Sequence, residues 1–354
     1  MSGHCVSHHH QKGSETVLSS FRQHRTLWYV LIAGSPLVLA IWSVFLGRYP
    51  VSVRDIGVLA TAVLTGQEMD PTHFSVIVHV RMPRIILGAL VGGSLAVSGA
   101  AFQGLFRNPL VSSGMLGVSS GAGFGAALAL ILFDRYVYVY PLAFGFGLLA
   151  VLLCFFIGRI TASTQAITLV LGGVIVGSIF SALISLLKYL ADPYDELPAI
   201  VFWLMGSLSR AEYDHIFTAG IPMIMGSVGL MIIRWRLNVL AMGDREAHSL
   251  GLNVNANRIF IIVCATLATA GAVCVSGVIG WVGLVVPHMG RMIIGNDNKA
   301  LIPVAFFMGA AFLILVDDIS RLISTSEMPL GILTSLLGGP FFIYLLRRTR
   351  GREW

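Results

Sequence analysis

Long apolar runs separated by short polar segments are the dominant pattern along this chain of 354 residues. A helix needs roughly 20 apolar residues to cross the hydrocarbon core of a bilayer, and most of the runs approach that length. The runs are continuously apolar, whereas the strands of a membrane β-barrel alternate apolar and polar positions. The pattern therefore predicts an all-α polytopic membrane protein with about ten transmembrane helices. The predicted spans are 28–46, 85–105, 112–133, 137–158, 166–187, 215–233, 258–277, 279–293, 301–319 and 329–346.

The stretch 258–293 is the hardest to divide, because its apolar character is almost unbroken. Gly277 and Gly280 permit a tight chain reversal, so we predict two helices, although one long helix and a re-entrant piece would also fit. In the last span, the Gly338–Pro340 segment predicts a break midway along the helix.

Two segments between spans are long enough to carry structure of their own. Residues 47–80 include the apolar stretch Ile56–Leu64, which we expect to pack on the outer membrane surface. Residues 188–214 contain two prolines that break a helix. Phe202 and Trp203, which follow them, suit a short helix near the membrane interface, where Trp is favoured.

Composition supports the membrane assignment, because only 11% of the residues are charged, against about 25% in soluble domains. The net charge of +6 reflects topology in such a chain, since cytoplasmic loops collect Lys and Arg. Most basic residues fall on one side when both termini are placed in the cytoplasm. We therefore predict a disordered cytoplasmic tail over 1–27, a single transmembrane domain over 28–350 and a polar cytoplasmic loop over 234–257.

The predicted spans contain almost no ionisable residues, and this restricts the source of energy for any transport. Ion-coupled transporters usually keep charged residues at membrane depth, although the carbonyl groups of a broken helix can also bind Na⁺. Asp317 and Asp318 fall at the outer end of the ninth span. None of the three lysines belongs to a GxxxxGK[ST] motif, so a nucleotide would have to bind to a separate subunit.

Catalytic and metal-binding motifs are weak in this sequence. The segment 117–121, GVSSG, matches the GxSxG pattern, which would make Ser119 a nucleophile. That pattern acts at a strand–turn–helix elbow, and 117–121 lies in an apolar helix, so we predict no catalytic residue. The four cysteines lack metal-ligand spacing, and we predict no metal site.

Four sequence blocks resemble, in the same order, the FecCD-type permease subunits of binding-protein-dependent ABC importers for iron–siderophores, haem and cobalamin. The first block runs from RMPR at residue 81 through RNPL to Gly117. The second is MGDREAHSLGL (242–252), and the third is VSGVIGWVGLVVPHMGRMIIG (275–295). The fourth is DDISRLISTSEMPLGILTSLLGGPFFIYLL (317–346). The resemblance implies the architecture of a type II ABC importer permease.

The resemblance also implies the partners of the chain. They are a second copy of itself in a homodimer, two cytoplasmic ABC ATPase subunits that bind ATP and Mg²⁺, and a periplasmic or lipid-anchored substrate-binding protein. We expect an inner-membrane, multi-pass location, contact with membrane lipid, no nucleic acid partner and no cofactor in this chain. The cargo that it implies most readily is an iron–siderophore, with haem, cobalamin and molybdate-type oxyanions left open.

Residue roles follow from the positions that match the family motifs. Arg81, Arg84 and Arg321 match arginines that grip the binding protein, although interfacial arginines can also simply snorkel to the membrane surface. Asn108 and Leu110 resemble positions of a cytoplasmic gate. The segment that resembles the ATPase-coupling helices, in which we expect Asp244 to cap a short helix, comprises Gly243, Asp244, Arg245, Glu246, Ala247, His248, Leu250 and Gly251.

Overall fold

A computed structural model describes residues 25–65, 70–133, 135–160, 166–324 and 326–348 of the chain. Most of the predicted disordered tail, including His8–His10, lies outside the described residues, and so do residues 161–165. The described part is helical throughout, with no strand.

The helices follow the order of the predicted spans, with short helices between them. We number them α1 (Arg25–Phe45), α2 (Val53–Thr65), α3 (Pro71–Phe74), α4 (Met82–Phe106), α5 (Val118–Leu132), α6 (Val139–Ile160), α7 (Ala166–Leu190), α8 (Glu196–Met205), α9 (Tyr213–Met242), α10 (Asp244–Ser249), α11 (Val254–Ser276), α12 (Val282–Ile294), α13 (Asn298–Ile323) and α14 (Leu330–Arg348). A π-helix, Ser75–Arg81, leads into α4, and a 3₁₀ turn, Tyr136–Tyr138, leads into α6.

The predicted number of spans is confirmed. By length and composition, seven of the described helices could cross a membrane. Shorter apolar helices, α5, α12 and α14, occupy the three remaining predicted spans. The fourth short apolar helix, α8, contains Phe202 and Trp203 and is the predicted short helix after the prolines. The chain is thus an all-α polytopic membrane protein with about ten transmembrane helices.

The helix α4 is the centre of the fold, and nearly every residue from Leu87 to Phe106 is buried. It packs against α1, α9, α11, α12 and α13. A transmembrane helix surrounded by other helices needs no polar face, which explains why its sequence shows no amphipathic stripe. Both ends of α4 carry the marked RMPR and RNPL motifs, so the central helix connects the two ends of the molecule.

Glycines allow the closest helix crossings. A Cβ atom on Gly92 of α4 would lie 2.2 Å from the carbonyl oxygen of Gly309 on α13, and one on Gly309 would lie 2.3 Å from that of Gly92. Gly121 and Gly125 of α5 pack in the same way against backbone carbonyl groups of α6. These small residues let the helix backbones touch, as small-xxx-small motifs do in membranes.

The predicted reversal between two helices in the stretch 258–293 is confirmed. The helix α11 ends at Ser276, Gly277 adopts a φ of 69°, and Trp281, with a φ of 68°, precedes α12. The predicted break at Gly338–Pro340 is wrong, because α14 continues through Pro340. Transmembrane helices tolerate proline when neighbouring groups and local adjustments satisfy the freed carbonyl.

Candidate functional site

The outer end of the predicted topology contains a buried network of ion pairs. The guanidinium of Arg84 on α4 forms a bidentate pair with Asp317 on α13, with Nε 2.8 Å from Oδ2 and Nη2 2.8 Å from Oδ1. Its Nη1 also donates to Glu327 Oε1 at 3.1 Å. Two parallel hydrogen bonds fix both the position and the plane of the guanidinium. Arg84 thereby ties α4 to α13 and to the turn that precedes α14.

A second arginine completes this network from α13 itself. Arg321 pairs with Asp318, donates to Ser43 Oγ at 2.8 Å, and has its Nε 3.4 Å from Asp317 Oδ2. The hydroxyl of Ser43 donates to Asp318 Oδ1 at 2.6 Å, which brings α1 into the same cluster. Each buried carboxylate therefore faces at least one guanidinium, as buried charges require.

Arg81, at the end of the π-helix, contacts main chain instead of an acid. Its guanidinium donates to the carbonyl oxygens of Val44 and Tyr49, at the end of α1 and in the segment that follows it.

The side chain of Tyr49 begins a second set of polar contacts, in which Tyr49 Oη lies 3.3 Å from His73 Nε2 and His73 Nδ1 lies 3.3 Å from Asp70 Oδ2. Hydrogen bonding from the Thr72 backbone N–H lowers the pKa of Asp70, so this carboxylate stays ionised at the surface.

The three arginines that the family resemblance assigns to docking therefore lie at one end of the molecule, but they point inward. Their exposed fractions are 3% for Arg81, 5% for Arg84 and 8% for Arg321. Most of the guanidinium nitrogens of these side chains already donate hydrogen bonds to groups within the chain. Their docking role stays a prediction, and it requires that some of these internal bonds be exchanged for bonds to a partner.

The sequence placed Asp317 and Asp318 at the outer end of a span, whereas the structure buries both inside α13, which continues to Ile323. The pairing with α4 could not be read from the sequence, because Arg84 is more than 200 residues away from Asp317. The only sequence signal was the coincidence of two acids and the nearby Arg321 at helical spacing.

At the opposite end of α4, the RNPL segment forms a tight turn. Arg107 ends the helix in the left-handed region with a φ of 52°. The side chain of Asn108 accepts a hydrogen bond from the Leu110 backbone N–H at 2.9 Å, and Leu110 is 53% exposed. Both predicted gate residues are therefore at the surface, presented by a turn that is bonded to itself.

Sequence reasoning missed the side chain that holds this turn. Gln103 is buried on the last turns of α4, where its amide donates to the carbonyl oxygens of Val111 at 3.2 Å and Leu284 at 3.3 Å. Its own carbonyl accepts from Arg291 of α12. Gln103 thus joins the segment after the RNPL turn to α12, and its only signal in the sequence was a polar residue in an apolar run.

The predicted coupling segment forms the short helix α10. Five of its six residues are exposed and only Ala247 is buried, so the helix presents a polar surface. The expectation that Asp244 caps the helix is wrong: Gly243 holds the cap position with a φ of 137°, and Asp244 begins the helix. The carboxylate of Asp244 instead pairs with Arg258 of α11 at 3.0 Å.

The coupling segment and the RNPL turn are neighbours. A Cβ atom on Gly243 would lie 3.8 Å from Arg107 Nη1 and only 2.1 Å from Glu246 Oε2. The φ of 137° at Gly243 is a backbone conformation that favours glycine. The coupling segment therefore lies beside Arg107, the residue that precedes the predicted gate residue Asn108.

The described residues offer little other chemistry. No group of three or more His, Cys, Asp or Glu side chains among them could hold a metal ion. Ser119 lies in the first turn of the apolar helix α5, where no strand precedes it, so the geometry of a nucleophile elbow is absent at that place.

Comparison with known proteins agrees with the sequence resemblance. The family model described as the FecCD transport family matches residues 36–348. The molybdate import system permease protein of Haemophilus influenzae is 40% identical, covering 88% of this chain and 94% of its own length. A probable iron chelatin transport system permease protein of Helicobacter pylori is 42% identical over 78% of this chain and 83% of its own.

A haemin transport system permease protein of Yersinia pestis is 36% identical, over 89% of this chain and 93% of its own. Among solved structures, an inward-facing conformation reported for a metal-chelate type ABC transporter has a TM-score of 0.81 and 36% identity. The match covers 90% of this chain and 97% of that one. The family model and these relatives span nearly all the described helices, and the chain therefore belongs to the FecCD transport family.

Proposed function

We propose that this chain is the membrane-spanning permease subunit of a binding-protein-dependent ABC importer that moves a metal chelate into the cytoplasm. The observation that carries the proposal is α10, a short exposed helix held between two long membrane helices by the pair of Asp244 and Arg258. A polar helix fixed in this way suits a contact with a soluble subunit. The FecCD match over residues 36–348 supports the same assignment.

The energy source in this proposal is a separate ATPase. The sequence has no P-loop, so ATP and Mg²⁺ would bind to two cytoplasmic ATPase subunits that contact α10. Two copies of the chain would enclose the pathway between them, in the inner membrane. Movement of α10 would reach the turn with Asn108 and Leu110 through Arg107, whose Nη1 would lie 3.8 Å from a Cβ atom on Gly243.

Docking of the binding protein is assigned to Arg81, Arg84 and Arg321. Arginine pairs with carboxylates bidentately, which fixes orientation as well as adding energy. Glu327 is the most exposed of the acids in the network, with 29% of its side chain accessible. We infer that an acid from the binding protein replaces Glu327 on Arg84 when the two proteins dock.

The cargo proposed for this chain is a metal chelate. An iron–siderophore is our first expectation, with haem, cobalamin and molybdate as alternatives. Relatives that carry the names of iron chelatin, haemin and molybdate systems are 36–42% identical to this chain, so identity does not separate them. Selection of the cargo fits better in the binding protein, which captures it first.

An ion-coupled transporter is the competing class, and Asp317 and Asp318 are the buried carboxylates that it would use. Their pairing with Arg84 and Arg321 argues against this, because a coupling site must release its ion.

Uptake of a panel of labelled cargoes tests the proposal. The chain is reconstituted in proteoliposomes with its ATPase and binding-protein partners, and iron–siderophore, haem, cobalamin and molybdate are supplied in turn. We expect uptake of one chelate class in the presence of ATP. Uptake of none of them by a complex that hydrolyses ATP would contradict the proposed cargo class.

A further inference from the structure

A cavity of about 620 Å³ opens beside the cytoplasmic end of α9, next to the coupling segment. One wall is apolar, with Ile232, Trp235 and Phe260. The other is polar, with Arg236, Asn253 and Asn257. No carboxylate lines the cavity. A space with one cation, two amides and an apolar wall fits an amphipathic anion.

The guanidinium of Arg236 in this cavity is only partly hydrogen-bonded within the described part of the chain. Arg236 donates from Nη1 to Asn257 Oδ1 at 2.8 Å. Its Nε is buried, and among the described residues no acceptor bonds to it. A buried donor without an acceptor costs free energy. A phosphate oxygen is the acceptor that a guanidinium binds most strongly alongside carboxylates.

The apolar wall continues as a stripe along the outside of α9. The stripe runs from Phe217 to Trp235, and all six of its side chains are between 46% and 70% exposed. Its length is about 27 Å at 1.5 Å per residue, close to the roughly 30 Å of hydrocarbon in a bilayer. Trp235 at its end stands where Trp favours the membrane interface. The members of the stripe are Phe217, Ile221, Ile224, Val228, Ile232 and Trp235.

We propose that this cavity binds a phospholipid with a net negative head group from the cytoplasmic leaflet. The lipid phosphate contacts Arg236, and an acyl chain lies along Ile232 and the stripe above it. The cavity also touches Gly251 and Leu252, in the segment that joins α10 to α11, so an occupied site braces the coupling segment. The proposal depends on the membrane setting alone and stands apart from the assignment of cargo or ATPase.

Native mass spectrometry of the full-length purified chain provides the test. The protein is equilibrated with phosphatidylglycerol or phosphatidylcholine of identical acyl chains, and the retained lipid is counted. We expect preferential retention of phosphatidylglycerol by the wild type. Arg236→Gln should lower that retention about fivefold, the factor that one basic residue contributes near an anionic membrane surface.

Arg234→Gln is the matched control, because Arg234 lies two residues away on the same helix and does not line the cavity. It should retain phosphatidylglycerol as the wild type does. Equal retention of phosphatidylglycerol and phosphatidylcholine by the wild type would by itself overturn the proposal, whatever the variants show. Equal losses in the two variants would do the same, since they would indicate general surface charge.

Other occupants give distinct results. Displacement of the lipid by millimolar inorganic phosphate would assign the cavity to a free anion. An intermolecular disulfide formed by Ile232→Cys would assign the stripe to a second copy of the chain. Loss of the lipid on addition of an ATPase subunit would assign the cavity to that partner. Each of these outcomes would overturn the proposal.

Discussion

Arg84 on α4 and Asp317 on α13 form a bidentate ion pair in which both side chains are almost fully buried. The two residues join the central helix of the fold to the helix that crosses it at Gly92 and Gly309. The same arginine is the one that family resemblance assigns to a partner protein. One side chain thus has both a structural bond and a predicted docking role.

Removal of the carboxylate should destabilise the protein strongly. Asp317→Asn leaves two arginines with one fewer buried counter-charge, and breaking a buried pair typically costs about 3–5 kcal/mol. We expect a clear fall in the thermal unfolding temperature of the detergent-solubilised chain. Asp195→Asn is the control, because Asp195 is exposed and its side chain does not cap α8. Equal unfolding temperatures for the two variants would contradict the structural role.

A methyl group at the α4–α13 crossing should not be tolerated. Gly92→Ala places a Cβ atom 2.2 Å from the backbone carbonyl oxygen of Gly309. This oxygen belongs to the backbone of a helix and not to a flexible side chain, so it cannot move aside to relieve the clash. Overpacking of this kind costs about 1–3 kcal/mol or more. We expect loss of folded protein on size-exclusion chromatography. Gly145→Ala, in a membrane helix with open space around the glycine, should elute as the wild type does.

Reversal of charge at the three arginines should abolish docking. The variant with Arg81, Arg84 and Arg321 all changed to Glu is expected to lose affinity for the binding protein and to lose uptake. Arg54→Glu serves as control, because Arg54 is an exposed arginine on α2, on the same predicted side. Unimpaired affinity in the triple variant would remove the docking assignment.

Because the triple variant also breaks the buried network, a milder change separates docking from folding. Glu327→Gln weakens the internal competitor for Arg84 without removing a buried arginine. We expect affinity for the binding protein to rise about threefold, in line with less than 1 kcal/mol for a partly exposed pair. Glu196→Gln, at an acid of α8, should leave affinity unchanged. A fall in affinity for Glu327→Gln alone would contradict the exchange of partners.

A charge swap between Asp244 and Arg258 tests whether their ion pair anchors α10. Asp244→Arg removes the pair with Arg258 and should reduce ATP-driven uptake roughly fivefold, since a half-exposed ion pair contributes up to about 1 kcal/mol. The double variant with Arg258→Asp restores opposite charges and should recover part of the uptake. A double-mutant cycle measures this coupling. No recovery in the swapped pair would show that the ion pair does not hold the coupling helix.

Much of the fold could be predicted from local patterns, because each transmembrane helix must satisfy its own backbone and bury its own apolar surface. The ten spans and the reversal at Gly277 follow from such patterns. The burial of Asp317 and Asp318 does not, because Arg84 and Ser43, which bond to them, come from the distant helices α4 and α1. The break predicted at Pro340 was wrong, because the groups that surround a proline decide whether a helix continues through it. The local sequence does not show which groups those are.

For the residues that match the family motifs, the sequence predicted the end of the molecule at which each one lies. It did not predict the groups that each one contacts. The structure brings Arg81, Arg84 and Arg321 to one end and the RNPL turn with α10 to the other. It also adds Gln103, whose three hydrogen bonds depend on two segments that fold against α4. A lone polar residue in an apolar run gives no indication of which carbonyl groups it will meet.

ATP dependence is the most direct test of the central claim that this chain is a passive permease driven by a partner. Uptake of the identified chelate is measured in proteoliposomes that contain the chain and its binding protein, with the ATPase subunits present or omitted. We predict uptake only when the ATPase and hydrolysable ATP are both present. Uptake of the same chelate by the chain without the ATPase, driven by a proton or Na⁺ gradient, would contradict the account.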